Sequence, residues 1–157
     1  MEALLGPSGA GKSTLMDILA QRKSTGNLGG AVLVDGRPAD AAFLRRTAYV
    51  PQRDNFVPVM TTMEVMQFYA GMILPGCWST SRRAARVEEV LQEMGLAHAT
   101  KTLAGGQMPG GRTIRGLSGG ERKRLSIAAG ILAAPSVVFL DEPTTGLDSF
   151  SALTVSP

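Results

Sequence analysis

The sequence predicts an α/β fold with a helical insertion, and three observations lead to this fold class. Apolar runs at 31–34, 47–50 and 137–140 have the length and composition of strands. Apolar residues recur with helical periodicity at 12–22 and through most of the middle of the chain, 61–132. The last apolar run is continuous, which is typical of a strand inside a parallel sheet. The order of these segments favours helices packed on a mainly parallel sheet.

The composition is that of a folded domain. The chain has 157 residues, 44% of them apolar and 18% charged, and its net charge is +3. Aromatic residues make up only 5% and basic residues are spread along the chain, so we expect no nucleic-acid partner. The single cysteine, Cys77, excludes an internal disulfide and suits a reducing compartment. The apolar stretch 126–140 is too short for a membrane span, and the N-terminus lacks the basic region of a secretory signal.

Turn and capping residues predict where the elements begin and end. The apolar triplet 3–5 is expected to end a buried strand that leads into a glycine-rich loop. Asp35-Gly36 predicts a turn after the strand at 31–34, and the glycines at 105–116 predict a loop. Hydroxyl residues that suit helix N-caps are Thr61 or Thr62, then Ser79, Thr80 or Ser81, and Ser118.

Residues 6–13 fit the spacing G-x-x-x-x-G-K-[ST] of a phosphate-binding loop. Glycines allow backbone N–H groups to wrap around phosphates, and the N-terminus of the following helix adds partial positive charge. Lys12 is expected to reach the β- and γ-phosphates, and the Ser13 hydroxyl to ligate Mg²⁺. The alternative, a plain glycine-rich turn, is disfavoured by the strand and helix expected on either side. The predicted nucleotide-binding residues here are Gly6, Pro7, Ser8, Gly9, Ala10, Gly11, Lys12, Ser13 and Thr14.

Two acidic residues follow the apolar run at 137–140. The carboxyl ends of strands are where open α/β sheets bind their ligands. We expect Asp141 to bind Mg²⁺ and Glu142 to polarise an attacking water as general base. Because a base lies beside the metal ligand, ATP hydrolysis is favoured over phosphoryl transfer to a second substrate.

A second anion site is predicted at 117–121, Leu-Ser-Gly-Gly-Glu, where free N–H groups and a hydroxyl open a helix. One nucleotide does not need two such sites from one chain. A head-to-tail dimer would use both, with Ser118, Gly119 and Gly120 covering the ATP bound by the partner's phosphate loop.

This segment resembles the signature motif of the nucleotide-binding domain of ATP-binding cassette (ABC) transporters. Glu121, where glutamine is commoner, and the Arg-Lys-Arg at 122–124 resemble the G subfamily, the white/pleiotropic-drug-resistance type. By the same resemblance, 6–13 matches the Walker A motif and 137–141 the Walker B motif, and the acidic residue after it matches the catalytic glutamate.

Two further positions match the family's pattern. Gln52 matches the Q-loop glutamine, which contacts the metal and senses the transmembrane partner. Asp148 matches the D-loop, which touches the opposite subunit and its nucleotide. The resemblance implies a P-loop NTPase (RecA-like) core with a parallel sheet, 1–60 and 131–157, and a helical signature-motif subdomain, 61–130.

The chain departs from the family's pattern at its ends. No segment with an adenine-stacking aromatic precedes the phosphate loop, and no switch histidine follows the D-loop. His98, the single histidine, precedes the signature motif, and we expect it to be a surface histidine in a loop. We therefore expect residues 1–157 to be a partial domain whose N-terminal β-layer and C-terminal part are missing.

The resemblance implies an ATP-binding, ATP-hydrolysing module with Mg²⁺, which powers export of a hydrophobic compound or lipid. Its partners would be a second nucleotide-binding domain and a transmembrane domain or half-transporter, at the cytosolic face of a membrane. Catalytic roles fall to Glu142, Gln52 and Lys12, and metal contacts to Ser13, Gln52 and Asp141. Two alternatives remain: a fragment that binds nucleotide without turnover, and a soluble ABC-type ATPase acting on nucleic acid or ribosomes.

Other conspicuous residues have structural interpretations. Met63, Met66 and Met94 lie at helix positions and are expected to fill the core. Trp78 is expected to make local packing contacts. The basic residues 122–124 are expected either to lie on a solvated helix face or to contact lipid headgroups or a transmembrane partner.

Overall fold

The structure, a computed structural model, describes residues 2–23 and 25–143, and this part of the chain is mixed α/β, as predicted. Its helices are α1 (Lys12–Leu19), α2 (Ala41–Arg45), α3 (Thr62–Ile73), α4 (Thr80–Glu93) and α5 (Gly119–Ile131), with a 3₁₀ turn at Ala97–Ala99. Its strands are β1 (Leu33–Val34), β2 (Arg37–Pro38), β3 (Thr47–Val50), β4 (Gly106–Gln107), β5 (Thr113–Ile114) and β6 (Val137–Leu140).

Strands β3 and β6 pair in parallel, which confirms the prediction from the continuous apolar run. Thr47 lies opposite Val137 and Val50 opposite Leu140, so both strands end at the same edge. Helix α5 lies close against β3. The distance shows this, since a Cβ added at Gly130 would lie 2.8 Å from a Val50 methyl carbon. The missing side chain at 130 therefore permits this approach of helix and strand.

Helices α3, α4 and α5 form the main hydrophobic cluster of the described residues. Its buried members are Val65, Met66, Ala70, Leu74, Val87, Val90, Leu91, Leu96, Ala99, Ala104, Leu117, Leu125, Ala128, Ala129 and Leu132. Met63 and Met94 pack against the cluster, so the interpretation of three methionines as core residues is confirmed. None of the helices formed by residues 2–23 and 25–143 is long and apolar enough to cross a bilayer.

The helices of this cluster begin at hydroxyl residues, as predicted. Thr61 caps α3: its Oγ1 accepts from the Glu64 N–H at 3.2 Å, and the Glu64 carboxylate accepts from the Thr61 N–H at 2.7 Å. Ser79 caps α4 by accepting from the Arg82 N–H at 3.2 Å. Ser118 caps α5, so one residue of each candidate group acts as the cap.

The strand expected at 3–5 is wrong, because residues 2–7 form no regular element and Leu5 is 94% exposed. A strand needs a neighbour for its backbone hydrogen bonds, and in the described part β3 and β6 pair with each other rather than with this segment. Helix α1 also ends three residues earlier than predicted, at Leu19, and Gln21 takes a left-handed φ of 53° that stops it.

Helix α2 and the short strands β2, β4 and β5 are missing from the sequence-based prediction. Helix α2 is capped by Asp40, whose Oδ1 accepts from the Phe43 N–H at 2.8 Å. Within the predicted loop 105–116, β4 and β5 form an antiparallel hairpin. All of these elements are too short for a periodic apolar pattern to reveal them.

Candidate functional site

The phosphate loop curls over the start of α1. Gly9 and Gly11 have left-handed φ values of 82° and 89°, which favour glycine, and Gly11 is the N-cap of α1. The Lys12 Nζ donates to the Gly6 carbonyl at 2.9 Å and to the Pro7 carbonyl at 3.0 Å, which draws the loop around the ammonium. Of the predicted binding residues, Lys12 is half-buried and the others are exposed: Gly6, Pro7, Ser8, Gly9, Ala10, Gly11, Ser13 and Thr14.

The second side chain of α1 reaches the residue that follows β6. The Ser13 hydroxyl donates to Asp141 Oδ1 at 2.9 Å, although 128 positions separate the two residues in sequence. Asp141 is buried, and its backbone N–H donates to the Val50 carbonyl at 2.9 Å, which extends the β3–β6 pairing by one bond. The phosphate loop and the acidic strand end are thus joined directly.

Tyr49 of β3 is a site residue that the sequence did not reveal. Its hydroxyl donates to Asp141 Oδ2 at 3.3 Å. Burial, together with the neighbouring carboxylates of Asp141 and Asp17, raises the pKa of Tyr49 to about 12. The phenol therefore stays protonated and acts as a donor, so both carboxylate oxygens of Asp141 accept a hydrogen bond. The one sequence signal that Tyr49 lies near the site was its position in the predicted strand 47–50, two residues before Pro51.

Gln52 and Glu142 meet at the edge of the parallel pair. The Gln52 Nε2 donates to Glu142 Oε2 at 2.6 Å. Each residue lies two positions beyond the paired residues Val50 and Leu140, so the register of the strands brings the two side chains together. Glu142 has a left-handed φ of 45°, an uncommon conformation for a residue with a side chain, and it turns the chain sharply after β6.

The residues present fit a Mg²⁺ ion. Mg²⁺ prefers oxygen ligands and usually takes one or two from the protein, completing its shell with phosphate oxygens and water. The Ser13 hydroxyl and the Asp141 carboxylate offer such oxygens side by side. Among the described residues, no three His, Cys, Asp or Glu side chains gather into a metal site. Such a pair of oxygens suits an ion that takes its remaining ligands from phosphate oxygens and water.

The predicted second anion site opens α5. The Ser118 Oγ accepts from the Glu121 N–H at 3.2 Å and donates to Glu121 Oε2 at 2.7 Å, and the same oxygen accepts from the Ser118 N–H at 2.9 Å. Ser118 and Gly119 are exposed, and Gly120 is buried. Within the described chain, no hydrogen bond joins residues 118–120 to residues 6–14.

His98 is exposed, as predicted, but it lies in the 3₁₀ turn and contacts the signature helix. Its Nε2 is 3.0 Å from Glu121 Oε1. Hydrogen bonds from the Ser118 hydroxyl, the Ser118 N–H and His98 lower the pKa of Glu121 to about 2. The carboxylate that orients Ser118 is therefore ionised at neutral pH.

The basic segment 122–124 does not form a solvated face, and that expectation is wrong. Lys123 is 4% exposed, and its Nζ donates to the carbonyls of Pro51 at 2.8 Å and Gln52 at 3.3 Å. Arg122 donates to the Ala104 carbonyl at 3.0 Å. Helix α5 packs against α3, α4 and β3, so these two polar side chains are enclosed and pair with loop carbonyls. Asp148, the remaining predicted site residue, lies outside the described residues.

A glycine-rich loop that opens a helix, joined to acidic residues at the end of a parallel strand, defines an α/β P-loop nucleotide-binding protein. The family model described as ABC transporter matches residues 1–145. The chain belongs to the ABC transporter family.

Three relatives illustrate the similarity. The chain is 47% identical over 153 residues to "ABC transporter G family member 22" of Dictyostelium discoideum, covering 98% of this chain and 25% of the relative. It is 46% identical to "ABC transporter G family member STR" of Petunia hybrida, covering 98% and 18%. It is 45% identical to "Broad substrate specificity ATP-binding cassette transporter ABCG2" of Bos taurus, covering 97% and 22%. The chain thus spans a quarter or less of the length of these relatives.

Proposed function

We propose that the chain is an ATP-binding and ATP-hydrolysing module of a G-type ABC transporter. One observation carries the proposal: Ser13, Gln52, Asp141 and Glu142, from three separate parts of the sequence, lie within hydrogen-bond distance in two pairs at one sheet edge. Phosphate-loop geometry and a metal-ligand pair account for nucleotide binding. A carboxylate beside that pair accounts for hydrolysis.

The loop 6–11 and the N-terminus of α1 would bind the phosphates through backbone N–H groups. Two of the three N–H donors of the Lys12 ammonium bind loop carbonyls, and the third would bind a β- or γ-phosphate oxygen. Ser13 and Asp141, with Gln52, would hold Mg²⁺, which neutralises charge on the phosphates when bound. Glu142 would accept a proton from the attacking water, and the Gln52 amide holds its carboxylate in place.

We further propose that two nucleotide-binding domains associate head to tail. Ser118, Gly119 and Gly120 would then contact the ATP held by the partner's phosphate loop, with Asp148 nearby. The support is the exposed hydroxyl and N–H groups at the start of α5, which Glu121 fixes in position. The division into a core, 1–60 and 131–157, and a helical subdomain, 61–130, belongs to this proposal.

A transmembrane domain is the proposed partner of the helical subdomain at the cytosolic face of a membrane. The solvent side of α3 exposes Phe68, Met72 and Ile73 at 56%, 58% and 41%, which is unusual for a helix surface. A cleft of about 390 Å³ beside it is lined by Phe56 and Tyr69 among others. From the family we propose a hydrophobic compound or lipid as the exported substrate.

The test is an ATPase assay on the chain, with Lys12→Ala and Glu142→Gln as matched variants. We expect hydrolysis to fall at least about 100-fold in Glu142→Gln while binding of a fluorescent ATP analogue persists, because the base acts after binding. Lys12→Ala should weaken binding itself. A wild-type rate equal to that of either variant would overturn hydrolysis. If binding were intact in that case, the chain would be a nucleotide-binding module without turnover.

A further inference from the structure

We propose that Lys123 is a positioning residue that joins the signature helix α5 to the loop carrying Gln52. This inference rests on the proposed function, since it concerns how the hydrolytic site is held in place. It starts from an unexpected burial: a lysine from the basic segment of α5 is 4% exposed. Buried ammonium groups are rare unless their charge is paired and hydrogen-bonded.

The Lys123 ammonium makes two hydrogen bonds, and both go to backbone carbonyls of one loop. Its Nζ donates to the Pro51 carbonyl at 2.8 Å and to the Gln52 carbonyl at 3.3 Å. These residues follow β3 directly, where the strand's backbone pairing ends. A charged donor therefore fixes a loop at the point where sheet hydrogen bonds no longer do so.

The loop residue that Lys123 holds is the one that contacts Glu142. The Gln52 side chain donates to Glu142 Oε2 at 2.6 Å, while the Gln52 carbonyl accepts from Lys123. Both bonds therefore depend on where the backbone of Gln52 lies. A displacement of Lys123 would therefore move the amide away from the carboxylate that is proposed to polarise water.

The other end of the connection is the second anion site. Ser118 caps the same helix five residues before Lys123, so a rigid helix of little more than one turn separates the two side chains. In the proposed dimer, Ser118 lies against the partner's ATP. Lys123 thus provides a short path from one nucleotide to the hydrolytic residues of the other site.

The surroundings supply a reason for an ammonium rather than an apolar side chain. Asp54, four residues into the loop after β3, interacts electrostatically with Lys123 and Arg122, and one of its carboxylate oxygens is buried. An apolar residue at 123 would leave two loop carbonyls and this carboxylate without the cation. The position is therefore specific for a long, positively charged donor.

The first test measures the loop itself and needs no catalysis. Arg53 is exposed beside Gln52 and offers a trypsin site within the loop. We expect cleavage after Arg53 to be about tenfold faster in Lys123→Met, because the loop opens more often. Lys123→Arg, which keeps a charged donor, should restore the wild-type rate. Should Lys123→Met fold poorly, Lys123→Gln is the second variant and should give an intermediate rate.

The matched control is Arg122→Met, on the adjacent position of the same helix. Arg122 donates to the Ala104 carbonyl and, like Lys123, its charge acts on Asp54, so its loss removes one cation near the loop but leaves both bonds from Lys123 to Pro51 and Gln52. We expect cleavage after Arg53 in this variant to match wild type. Equal rates in Lys123→Met and wild type, or equal acceleration in Arg122→Met, would overturn the proposal.

The second test follows hydrolysis. Lys123→Met should lower kcat about 10- to 100-fold with little change in KM for ATP, because misplacement of Gln52 affects the reaction more than binding. In a Gln52→Ala background the same substitution should have no further effect on kcat, since Lys123 acts through Gln52. Additive losses would overturn this path. A wild-type chain without ATPase activity would refute the proposed function, whereas the Arg53 cleavage would still decide the role of Lys123.

Discussion

Glu121 shows how much a single residue contributes to the second anion site. Its carboxylate accepts from the Ser118 N–H and hydroxyl through one oxygen and meets His98 through the other. The sequence placed Glu121 in the right motif but carried no signal for His98, because that contact depends on how the 3₁₀ turn packs beside α5. For single residues, the sequence reveals those that belong to a recognisable motif. It misses those that tertiary packing brings to the site, and Tyr49 and Lys123 are two of these.

The ionisation of Glu121 makes a prediction about stability and pH. Folding lowers its pKa from 4.5 to about 2, so its contribution to the free energy of unfolding is present above about pH 4.5 and is lost as the pH falls toward 2. We expect Glu121→Gln to be less stable than wild type at about pH 6 by about 1 kcal/mol, and the gap to narrow below about pH 4.5 and close near pH 2, as measured by urea unfolding.

Glu64→Gln is the matched control for that experiment. Glu64 forms the same capping box at the start of α3, and hydrogen bonds from Thr61 lower its pKa as well. His98 adds a further bond to Glu121, so the pH-dependent loss should be larger for Glu121→Gln than for Glu64→Gln. Equal losses would contradict a role for His98.

Among the elements, the parallel pair β3–β6 and the three capped helices were predictable, because each has either a continuous apolar run or a hydroxyl cap before a periodic stripe. Ala48 and Tyr49 lie in a strand predicted at its correct boundaries. The strand predicted from the apolar triplet at 3–5 was wrong, since hydrophobicity alone does not provide a neighbouring strand to pair with. The hairpin of β4 and β5 has only two residues in each strand, so no alternation of polar and apolar positions could develop.

The packing of α5 on β3 predicts opposite effects for two glycines within helices. Alanine is favoured over glycine in a helix by about 1 kcal/mol. At Gly71 in α3 an added Cβ meets nothing within 4 Å, so Gly71→Ala should stabilise the protein by up to about that amount. At Gly130 it would meet a methyl of the stiff Val50 side chain at 2.8 Å, and Gly130→Ala should cost a net of about 1 kcal/mol. Equal stabilisation of both variants in urea unfolding would contradict the close contact.

At the scale of the whole molecule, the two predicted anion sites lie in separate parts of the chain, at the start of α1 and at the start of α5. No hydrogen bond connects them within residues 2–23 and 25–143, although Lys123 links their supporting segments. The sequence predicted the family correctly, because its motifs depend on spacing between neighbours in the chain. It could not predict the link, which joins positions 71 and 72 residues apart.

The head-to-tail arrangement predicts a nucleotide-dependent change in assembly. Slowing hydrolysis with Glu142→Gln should let the ATP-bound dimer accumulate, so that most of the protein sediments as a dimer with Mg²⁺ and ATP and as a monomer without them. Adding Ser118→Glu to this variant should return it to a monomer, because a carboxylate would then face the partner's phosphates. A dimer that persists in the double variant, or that forms without ATP, would rule out this arrangement.

The register of β3 and β6 makes the contact between Gln52 and Glu142 depend on the number of residues between each strand and its site residue. Gln52 and Glu142 meet because each stands two steps past a matched pair of strand residues, Val50 and Leu140. A substitution at an intervening position alters one side chain and leaves this count intact. Deleting a single residue there would instead bring a different side chain to the meeting point and reverse the direction in which it projects. Insertions and deletions of one residue directly after β3 or β6 should therefore be far rarer among functional homologues than substitutions there.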